Sequence, residues 1–268
     1  MPSPLKSAEP IVSLLSLRPS GVFLDIDGTI SRIAPTPQEA YISDAARLAL
    51  AELQHRVDRL TFISGRSPDS AAALVDVFGD RVAYVGNHGL SLLIGGETST
   101  PADALPYAER VEKLVDELAT LADFPGILFE PRGPLLTIHY RQVADAEVAR
   151  DLILRRVRES ECARGMELSE GRKIVELRPP LEMTKGRAIE SLAEKWELAS
   201  ILMIGDDITD VTAFDALRNM REYSEVRTLS IAVLSAEADP AVADAADYTV
   251  EGVSSVERLL SELSRQRA

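Results

Sequence analysis

Short apolar runs alternate with amphipathic segments in the first part of the chain. Residues 22–26, 60–63 and 82–85 are nearly continuous apolar runs, the pattern of strands buried on both faces of a sheet. Between them, a helix is predicted from Ser43 or Asp44 to about residue 55, and another opens at Ser67-Pro68. This alternation of strands and helices predicts a parallel sheet with right-handed crossovers.

The pattern changes after residue 89. Residues 90–94 and 97–100 flank a Gly-Gly turn and predict a hairpin, and Pro101 and Pro106 bracket a predicted linker. Next comes a predicted amphipathic helix. It is followed by strands at 127–129 and 135–140, which flank a turn at 131–134, and by a helix from about 144 to 159. Strands at 166–168 and 173–177 complete an αββαββ unit, predicted to be a small antiparallel sheet with two helices on one face. The apolar stripe of its first helix is Val111, Leu114, Val115, Leu118 and Leu121.

The first pattern returns after Pro179-Pro180. A helix is predicted from Thr184 to 196, strands at 201–204, 228–233 and 248–250, a helix to about 220, and a closing helix capped by Ser254. The chain is therefore predicted to be an α/β protein, with a doubly wound, Rossmann-like parallel sheet and an inserted α+β cap. The predicted bounds are 1–104 for the first part of the core, 105–181 for the cap and 182–268 for the second part of the core.

Composition and charge restrict the class of partner. The 268 residues are 46% hydrophobic and 27% charged, which is ordinary for globular domains, and the formal net charge is −14. Such an acidic surface argues against nucleic acid or an anionic membrane as the main partner. The single cysteine, Cys162, allows no internal disulfide, and residues 11–17 are too short for a signal peptide. A cytoplasmic protein without a membrane span, monomeric by default, is expected.

Two aspartates at the end of the first buried strand are the strongest chemical signal. Asp25 and Asp27 lie two positions apart, so both can face one pocket, and Gly28 permits a turn directly after them. Such a pair can hold a hard cation through oxygen ligands, with one carboxylate left to attack an electrophile. The alternative is an ordinary strand-to-turn junction, since Asp and Gly favour turns.

Three further groups follow other predicted strands or open a helix, where open α/β sheets bind ligands. The Ser64 hydroxyl and the Gly65 amide could donate to phosphate oxygens, and Lys185 could supply a counter-charge at a helix start. Taken alone, Ser-Gly after a strand is usually just a turn, and a lone lysine at a helix start is more often solvated surface. The acids Asp206, Asp207 and Asp210 repel one another unless a cation neutralises them, and an N-capping turn would account for one of them only.

In order, these groups resemble the four motifs of the haloacid dehalogenase superfamily in its phosphatase form. The resemblance implies a Mg²⁺-dependent phosphatase in which Asp25 is the nucleophile and Asp27 the general acid and base. It implies that the Asp25 carboxylate, the Asp27 backbone carbonyl and Asp206 hold Mg²⁺, with Asp207 and Asp210 orienting metal waters or Lys185. Ser64 and Lys185 would hold the phosphoryl oxygens.

A narrower resemblance, to the trehalose-6-phosphate phosphatase family, rests on Ser64-Gly65-Arg66, His88-Gly89, Glu130-x-Arg132, His139-Tyr140-Arg141 and Glu176-x-Arg178-Pro179. It implies that Glu130, Arg132 and Glu176 bind sugar hydroxyls, with Gly65 and Arg66 also at the substrate. The chain departs from the family pattern at Arg132, where lysine is usual, and at Val211, where glutamate is usual. His88 is expected to support a loop, and His139 to be a sheet residue rather than a direct ligand.

The expected activity is hydrolysis of trehalose 6-phosphate, a small-molecule sugar phosphate, through an aspartyl-phosphate, with the cap selecting the sugar. The two departures leave open a phosphatase for sucrose 6-phosphate or a glycosyl-phosphoglycerate. A phosphoryl-transfer mutase and a non-catalytic sugar-phosphate sensor are further alternatives. A synthase, if one is involved, would be a separate chain.

Overall fold

The computed structural model describes residues 2–34, 39–122, 124–171, 173–181, 183–236 and 238–265. The chain divides into two compact units. The core unit comprises Met1–Thr98 and Met183–Ala268, and the cap unit comprises Ser99–Glu182. The second unit is therefore an insertion between two segments that together form the first.

The strands of both units are short. They are β1 Ser3–Pro4, β2 Ser20–Leu24, β3 Arg59–Ile63, β4 Val82–Gly86, β5 Ser91–Ile94, β6 Glu97–Ser99, β7 Leu128–Arg132, β8 Leu135–His139, β9 Glu167–Gly171, β10 Ile174–Arg178, β11 Ser200–Gly205, β12 Arg227–Leu234 and β13 Tyr248–Glu251.

Both units also contain helices, which lie between some of these strands along the chain. They are α1 Glu9–Leu15, α2 Asp44–Leu53, α3 Pro68–Val75, α4 Leu105–Glu117, α5 Ala119–Ala122, α6 Ala146–Glu159, α7 Lys185–Lys195, α8 Ile208–Tyr223, α9 Pro240–Ala245 and α10 Gly252–Arg265. In the described part of the chain, no helix combines the length and the apolar character needed to cross a membrane.

The core unit contains one sheet with the strand order β1-β13-β12-β11-β2-β3-β4-β5-β6. The strands from β1 to β4 in this order pair in parallel, and β5 adds to β4 in the antiparallel sense. The predicted parallel sheet is confirmed, and the predicted hairpin extends its edge. Because β11 lies directly beside β2, the segments that follow these two strands are brought together at the carboxyl edge of the sheet.

Side chains of the central strands alternate between two apolar layers. Val22 and Leu24 of β2 pack into the layer that also holds α2 and α10, whereas Phe23 packs with Ile189 of α7 and Phe214 of α8. All five side chains are buried, because a parallel sheet is covered by helices on both faces. This packing makes the central strands a rigid base for the segments that follow them.

The cap unit contains an antiparallel sheet with the strand order β7-β8-β10-β9. On its apolar face, Ile138 of β8 lies opposite Val175 of β10. Both pack in one cluster with Leu136, Leu114 of α4 and Ile153 of α6. The predicted αββαββ pattern is confirmed, with both helices on one face. The other face of the sheet carries the remaining, mostly polar residues of each strand.

Several predicted boundaries in the cap unit were wrong. Pro106 does not end a linker but lies in the first turn of α4. Backbone amides in the first turn have no hydrogen-bond partner within the helix, so proline, which lacks the amide hydrogen, is tolerated there. The turn predicted at 131–134 is shorter, because β7 runs on to Arg132, which pairs with Leu135. Pro131 is tolerated there since β7 is an edge strand.

In the core unit, the closing helix α10 begins at Gly252, so Ser254 lies within its first turn rather than capping it. The short helix α9 and the two-residue strand β1 were not predicted. Both are too short to produce a clear periodic signal in the sequence.

Candidate active site

The first two predicted site residues follow β2 at the centre of the sheet. The backbone amide of Asp25 donates to the Ile204 carbonyl of β11 at 2.9 Å, so Asp25 extends the parallel pairing by one residue. Asp206 comes directly after β11, and a carboxylate oxygen of Asp206 lies within 4.8 Å of one of Asp25. The strand pairing therefore explains why acids separated by most of the chain meet.

The turn after Asp27 is shaped around Asp206. Gly28 has φ +93°, and a Cβ atom there would lie 1.8 Å from Oδ2 of Asp206. Thr29 donates from Oγ1 to Oδ1 of Asp206 at 3.1 Å. Only glycine satisfies both the backbone conformation and the close approach at position 28.

Lys185 links the two halves of the site. It lies at the start of α7, which the Thr184 side chain caps, and its Nζ contacts Oδ1 of Asp25 at 2.6 Å and Oδ1 of Asp210 at 2.7 Å. The side chain of Lys185 is 3% exposed and that of Asp210 is fully buried. A charged lysine in this position is compensated by two carboxylates rather than by water.

The acids after β11 also build the start of α8. Oδ2 of Asp210 accepts the backbone amides of Asp206 and Asp207, both at 3.0 Å. The Asp207 carboxylate accepts the Ile208 amide and the Thr209 hydroxyl, and Asp207 is exposed to solvent. Helix capping thus accounts for Asp207 and for one oxygen of Asp210, while the other oxygen of Asp210 binds Lys185.

Burial and mutual repulsion perturb the acids of this cluster. Burial raises the pKa of Asp25 well above its usual value, and Asp210 and Asp206 raise it further against the lowering effect of Lys185. Burial, followed by the Asp210 charge, raises the pKa of Asp206 to about 6. Burial alone would lower the pKa of Lys185, but Asp25 and Asp210 together raise it above its usual value.

The donor set fits a hard divalent cation. Asp25, Asp206 and Asp210 each offer a carboxylate oxygen, and these oxygens lie within 4.8 Å of one another. Ionised, they carry three negative charges against the single positive charge of Lys185. Oxygen ligands and an excess of negative charge are what Mg²⁺ prefers in proteins.

The loop after β3 carries the predicted phosphate-binding residues. Ser64 is buried, its Oγ accepts the Arg66 amide at 3.2 Å, and Gly65 lies between them. The Arg66 guanidinium binds both Asp27 oxygens, from Nε at 2.7 Å and from Nη2 at 2.6 Å. The hydrogen bonds to Asp27 raise the pKa of Arg66, so the guanidinium stays charged.

A short 3₁₀ turn, Asn87–Gly89, supports both the Ser64 loop and α7; the sequence analysis expected loop support here from His88 and did not identify the role of Asn87. The Asn87 amide donates to the Arg66 carbonyl at 2.8 Å. Gly89 has φ +109°, and a Cβ atom there would lie 3.2 Å from the Thr184 carbonyl at the start of α7. The turn therefore helps to position the segments that carry Arg66 and Lys185.

In the cap unit, the structure brings Glu130, Arg132 and Glu176 together on the polar face of the sheet. Nη2 of Arg132 donates to Oε2 of Glu176 at 3.3 Å and to Oγ1 of Thr137 at 2.7 Å. Nε of Arg132 lies 3.9 Å from Oε1 of Glu130. His139 also lies on this face, with Nε2 at 2.8 Å from Oε2 of Glu130. Thr137 was missed by the sequence analysis.

Comparison with known proteins gives a consistent result. The sequence profile of the family described as trehalose-phosphatase matches residues 23–254. A relative from Oryza sativa subsp. japonica, described as probable trehalose-phosphate phosphatase 4, is 32% identical over 81% of this chain and 60% of its own length. The trehalose-phosphate phosphatase of Mycobacterium leprae is 29% identical over 94% of this chain and 59% of its own length.

Another relative, described as an uncharacterized glycosyl hydrolase of Mycobacterium tuberculosis, is 34% identical over 81% of this chain. The match covers 17% of that protein, and the chain spans about 60% of the length of the two trehalose-phosphate phosphatases named above.

Solved structures share the fold. A crystal structure described as a trehalose-6-phosphate phosphatase related protein aligns with a TM-score of 0.67 at 23% identity, over 91% of this chain and 96% of the other. The trehalose-6-phosphate phosphatase of Aspergillus fumigatus aligns with a TM-score of 0.63 at 20% identity, over 98% and 99% of the two chains. At these identities the likeness shows the fold.

Proposed function

This chain belongs to the trehalose-phosphatase family, and we propose on that basis that it hydrolyses trehalose 6-phosphate to trehalose and inorganic phosphate. The observation that carries the proposal is the buried contact of Lys185 with Asp25 and Asp210, beside Asp206, at the carboxyl edge of the core sheet. This arrangement combines a fixed carboxylate, a fixed cation and an oxygen-rich pocket, which phosphoryl transfer requires.

Asp25 is the proposed nucleophile. Lys185 binds its Oδ1, which fixes the carboxylate so that Oδ2 can attack phosphorus in line with the departing sugar oxygen. The new bond joins Asp25 to phosphorus, the bond from phosphorus to the sugar oxygen breaks, and an aspartyl-phosphate results. Water then attacks phosphorus and releases phosphate and the Asp25 carboxylate.

Asp27 is the proposed proton carrier. It gives a proton to the departing sugar oxygen and takes one from the attacking water in the second step. In the structure, both of its oxygens accept hydrogen bonds from Arg66. Each of these oxygens keeps a second lone pair that can take the proton, and a dianionic phosphate is a suitable further partner for the guanidinium.

Mg²⁺ is the proposed metal, held by the Asp25 and Asp206 carboxylates and the Asp27 backbone carbonyl. When bound, the ion would supply positive charge to the phosphoryl oxygens. Asp210 keeps Lys185 and the start of α8 in place, Thr29 orients Asp206, and Ser64 and Gly65 would bind the remaining phosphoryl oxygens.

The polar face of the cap unit is the proposed site for the sugar. Arg132 is paired with Glu176, and Arg178 with Glu167 at 2.9 Å, so the positive charges are already compensated. Carboxylates and a paired guanidinium suit the hydroxyl groups of a neutral sugar. This supports trehalose 6-phosphate or sucrose 6-phosphate over a glycosyl-phosphoglycerate, whose additional carboxylate would meet Glu130 and Glu176.

A substrate panel tests the proposal. Purified protein with Mg²⁺ is given trehalose 6-phosphate, sucrose 6-phosphate, a glucosyl-phosphoglycerate and p-nitrophenyl phosphate, and phosphate release is measured for each. We expect the highest kcat/KM for trehalose 6-phosphate and no activity in excess EDTA. A higher kcat/KM for another sugar phosphate would overturn the substrate assignment, and full activity in EDTA would overturn the metal assignment.

The same assay separates the remaining alternatives. A mutase would form a phosphoisomer without releasing phosphate, and a sensor would bind the sugar phosphate without turnover. Three further points stay predictions: the substrate comes from a separate synthase chain, the protein is a monomer, and it is located in the cytoplasm.

A further inference from the structure

We propose that Thr137 and His139, two neighbouring outward-facing residues of β8, are positioning residues that orient the sugar-binding side chains of the cap unit. The inference rests on the proposed function, since it concerns how the same sugar phosphate is selected.

The strand pairing places β8 between the strands that carry the other polar residues. Thr137 lies directly opposite Glu130 of β7 and, on its other side, directly opposite Glu176 of β10. Side chains paired in this way point to the same face of the sheet and lie close enough to touch. The Thr137 hydroxyl is thus centred between the two carboxylates.

The Thr137 hydroxyl both donates and accepts a hydrogen bond. It accepts from Nη2 of Arg132 at 2.7 Å and is 3.4 Å from Oε2 of Glu176, to which it donates. Nη2 of Arg132 lies 3.3 Å from the same Glu176 oxygen, which closes a triangle of three polar atoms. Thr137 is 2% exposed, so this hydroxyl is enclosed on a face whose other polar groups remain partly exposed. A buried hydroxyl that both donates and accepts fixes its partners in one orientation.

His139 acts on the other carboxylate. Its Nε2 lies 2.8 Å from Oε2 of Glu130, and both side chains are well exposed, at 36% and 52%. An ionised carboxylate can only accept, so Nε2 carries the hydrogen of this bond. Without this bond the Glu130 side chain, on an exposed edge strand, would sample several rotamers.

Each glutamate of the proposed sugar site is therefore held by a side chain from the central strand. Arginine at position 132 completes the set, because its Nη2 offers two hydrogens, one for Thr137 and one for Glu176. The arrangement would present preorganised acceptors to the sugar hydroxyls, which reduces the ordering needed on binding.

The first test replaces Thr137. Thr137→Val keeps the shape and removes the hydroxyl, whereas Thr137→Ser keeps the hydroxyl. For Thr137→Val we expect KM for trehalose 6-phosphate to rise about tenfold, the effect of losing a hydrogen bond to charged partners. We expect kcat/KM for p-nitrophenyl phosphate, which has no sugar, to change less than about twofold by the same reasoning. Thr137→Ser should restore KM to near the wild-type value.

Thr120→Val is the matched control. The Thr120 hydroxyl also accepts from an arginine, Nη2 of Arg156, at 3.0 Å. Thr120 lies in α5, whose Leu121 packs in the apolar cluster on the other face of the sheet. Its substitution should leave KM for trehalose 6-phosphate unchanged. An unchanged KM in Thr137→Val, or an equal loss with p-nitrophenyl phosphate, would overturn the proposal.

The second test is a double-mutant cycle between His139 and Glu130. If His139 acts by orienting Glu130, then His139→Ala should raise KM in the wild type and have little further effect in Glu130→Ala, which lacks the acceptor. Additive effects on KM would show that His139 acts independently of Glu130 and would overturn its assigned role. His139→Gln, which offers an amide donor, should recover part of the loss.

The positioning role can be tested even if trehalose 6-phosphate is not the substrate. If the wild type does not cleave trehalose 6-phosphate, the same variants are measured with the sugar phosphate that it cleaves best. The positioning role predicts the same contrast with p-nitrophenyl phosphate for that substrate, and equal KM values in wild type and Thr137→Val would contradict it there too.

Discussion

Lys185→Met should destabilise the metal-free protein strongly while the fold persists. Lys185 is buried between Asp25 and Asp210, and methionine has a similar length without the charge. The substitution therefore leaves buried carboxylates without their counter-charge. Phosphatase activity should also be lost, because Asp25 and the phosphoryl group would lose the same cation.

The magnitude follows from the burial of the three groups. The side chains of Lys185, Asp25 and Asp210 are 3%, 6% and 0% exposed, so solvent screens their contacts little. Removing one partner of such a buried pair costs about 3–5 kcal/mol. For a chain of this size, that corresponds to a fall in Tm of at least about 6 °C.

The assay is thermal unfolding by circular dichroism near neutral pH in excess EDTA. Lys195→Met is the matched control, because Lys195 is an exposed residue at the end of the same helix, α7. The control should shift the free energy of unfolding by less than about 0.5 kcal/mol. Adding Asp210→Asn to Lys185→Met should recover part of the stability, since asparagine can still accept the amides of Asp206 and Asp207. Equal Tm values for Lys185→Met and Lys195→Met would refute the buried ion cluster.

Four further outcomes are expected. Gly28→Ala should displace Asp206 and reduce the Tm gain that Mg²⁺ gives, and an undiminished gain would contradict the close packing at this turn. Because the pKa of Asp206 is raised to about 6, folding takes up a proton between about pH 4 and 6, so the metal-free protein should lose stability as the pH rises through this window. The raised pKa of Asp25 acts in the same direction. Because Mg²⁺ must displace those protons, its Tm gain should be larger at about pH 7.5 than at about pH 5, and the reverse order would contradict the assignment. Burial would raise the pKa of Asp247, but the Arg221 guanidinium and the Ser230 amide lower it below its usual value, so its contribution to stability should be present near neutral pH and disappear as the pH falls below about 4. Asp247→Asn should therefore destabilise the protein at neutral pH more than in acid, as measured by urea unfolding at both pH values.

The positions of the core acids could be predicted because they depend on strand ends. Asp25 and Asp206 each follow a buried apolar run, and parallel strands place such residues at one edge of a sheet. The order of the strands then brings the two carboxyl groups into contact. Lys185 could be assigned to the same place because it opens the helix before β11.

Other features of the site depend on side-chain contacts that no local pattern encodes. The pairing of Arg66 with Asp27 joins residues from two loops, and the sequence indicated only that both belong to the site. The support of the Ser64 loop by Asn87 depends on a single backbone hydrogen bond between separate turns. Such contacts follow from the packed fold and not from spacing.

In the cap unit, too, some features could be predicted from the sequence and others could not. The alternation of polar and apolar residues predicted which residues share a face, since side chains in a strand alternate. The register of β8 against β7 and β10, which makes Thr137 the neighbour of both glutamates, depends on turn lengths. The predicted turn at 131–134 was too long, so the register could not be derived from the sequence.

The measurement that tests the central claim most directly is the mass of the protein quenched in acid during turnover of trehalose 6-phosphate with Mg²⁺. The account predicts that a fraction of the wild type carries one phosphoryl group, on the peptide that contains Asp25. Asp25→Asn should carry none and release no phosphate, while keeping its folded circular dichroism spectrum. Undiminished phosphate release by Asp25→Asn, or a phosphoryl group on a different residue, would contradict the account.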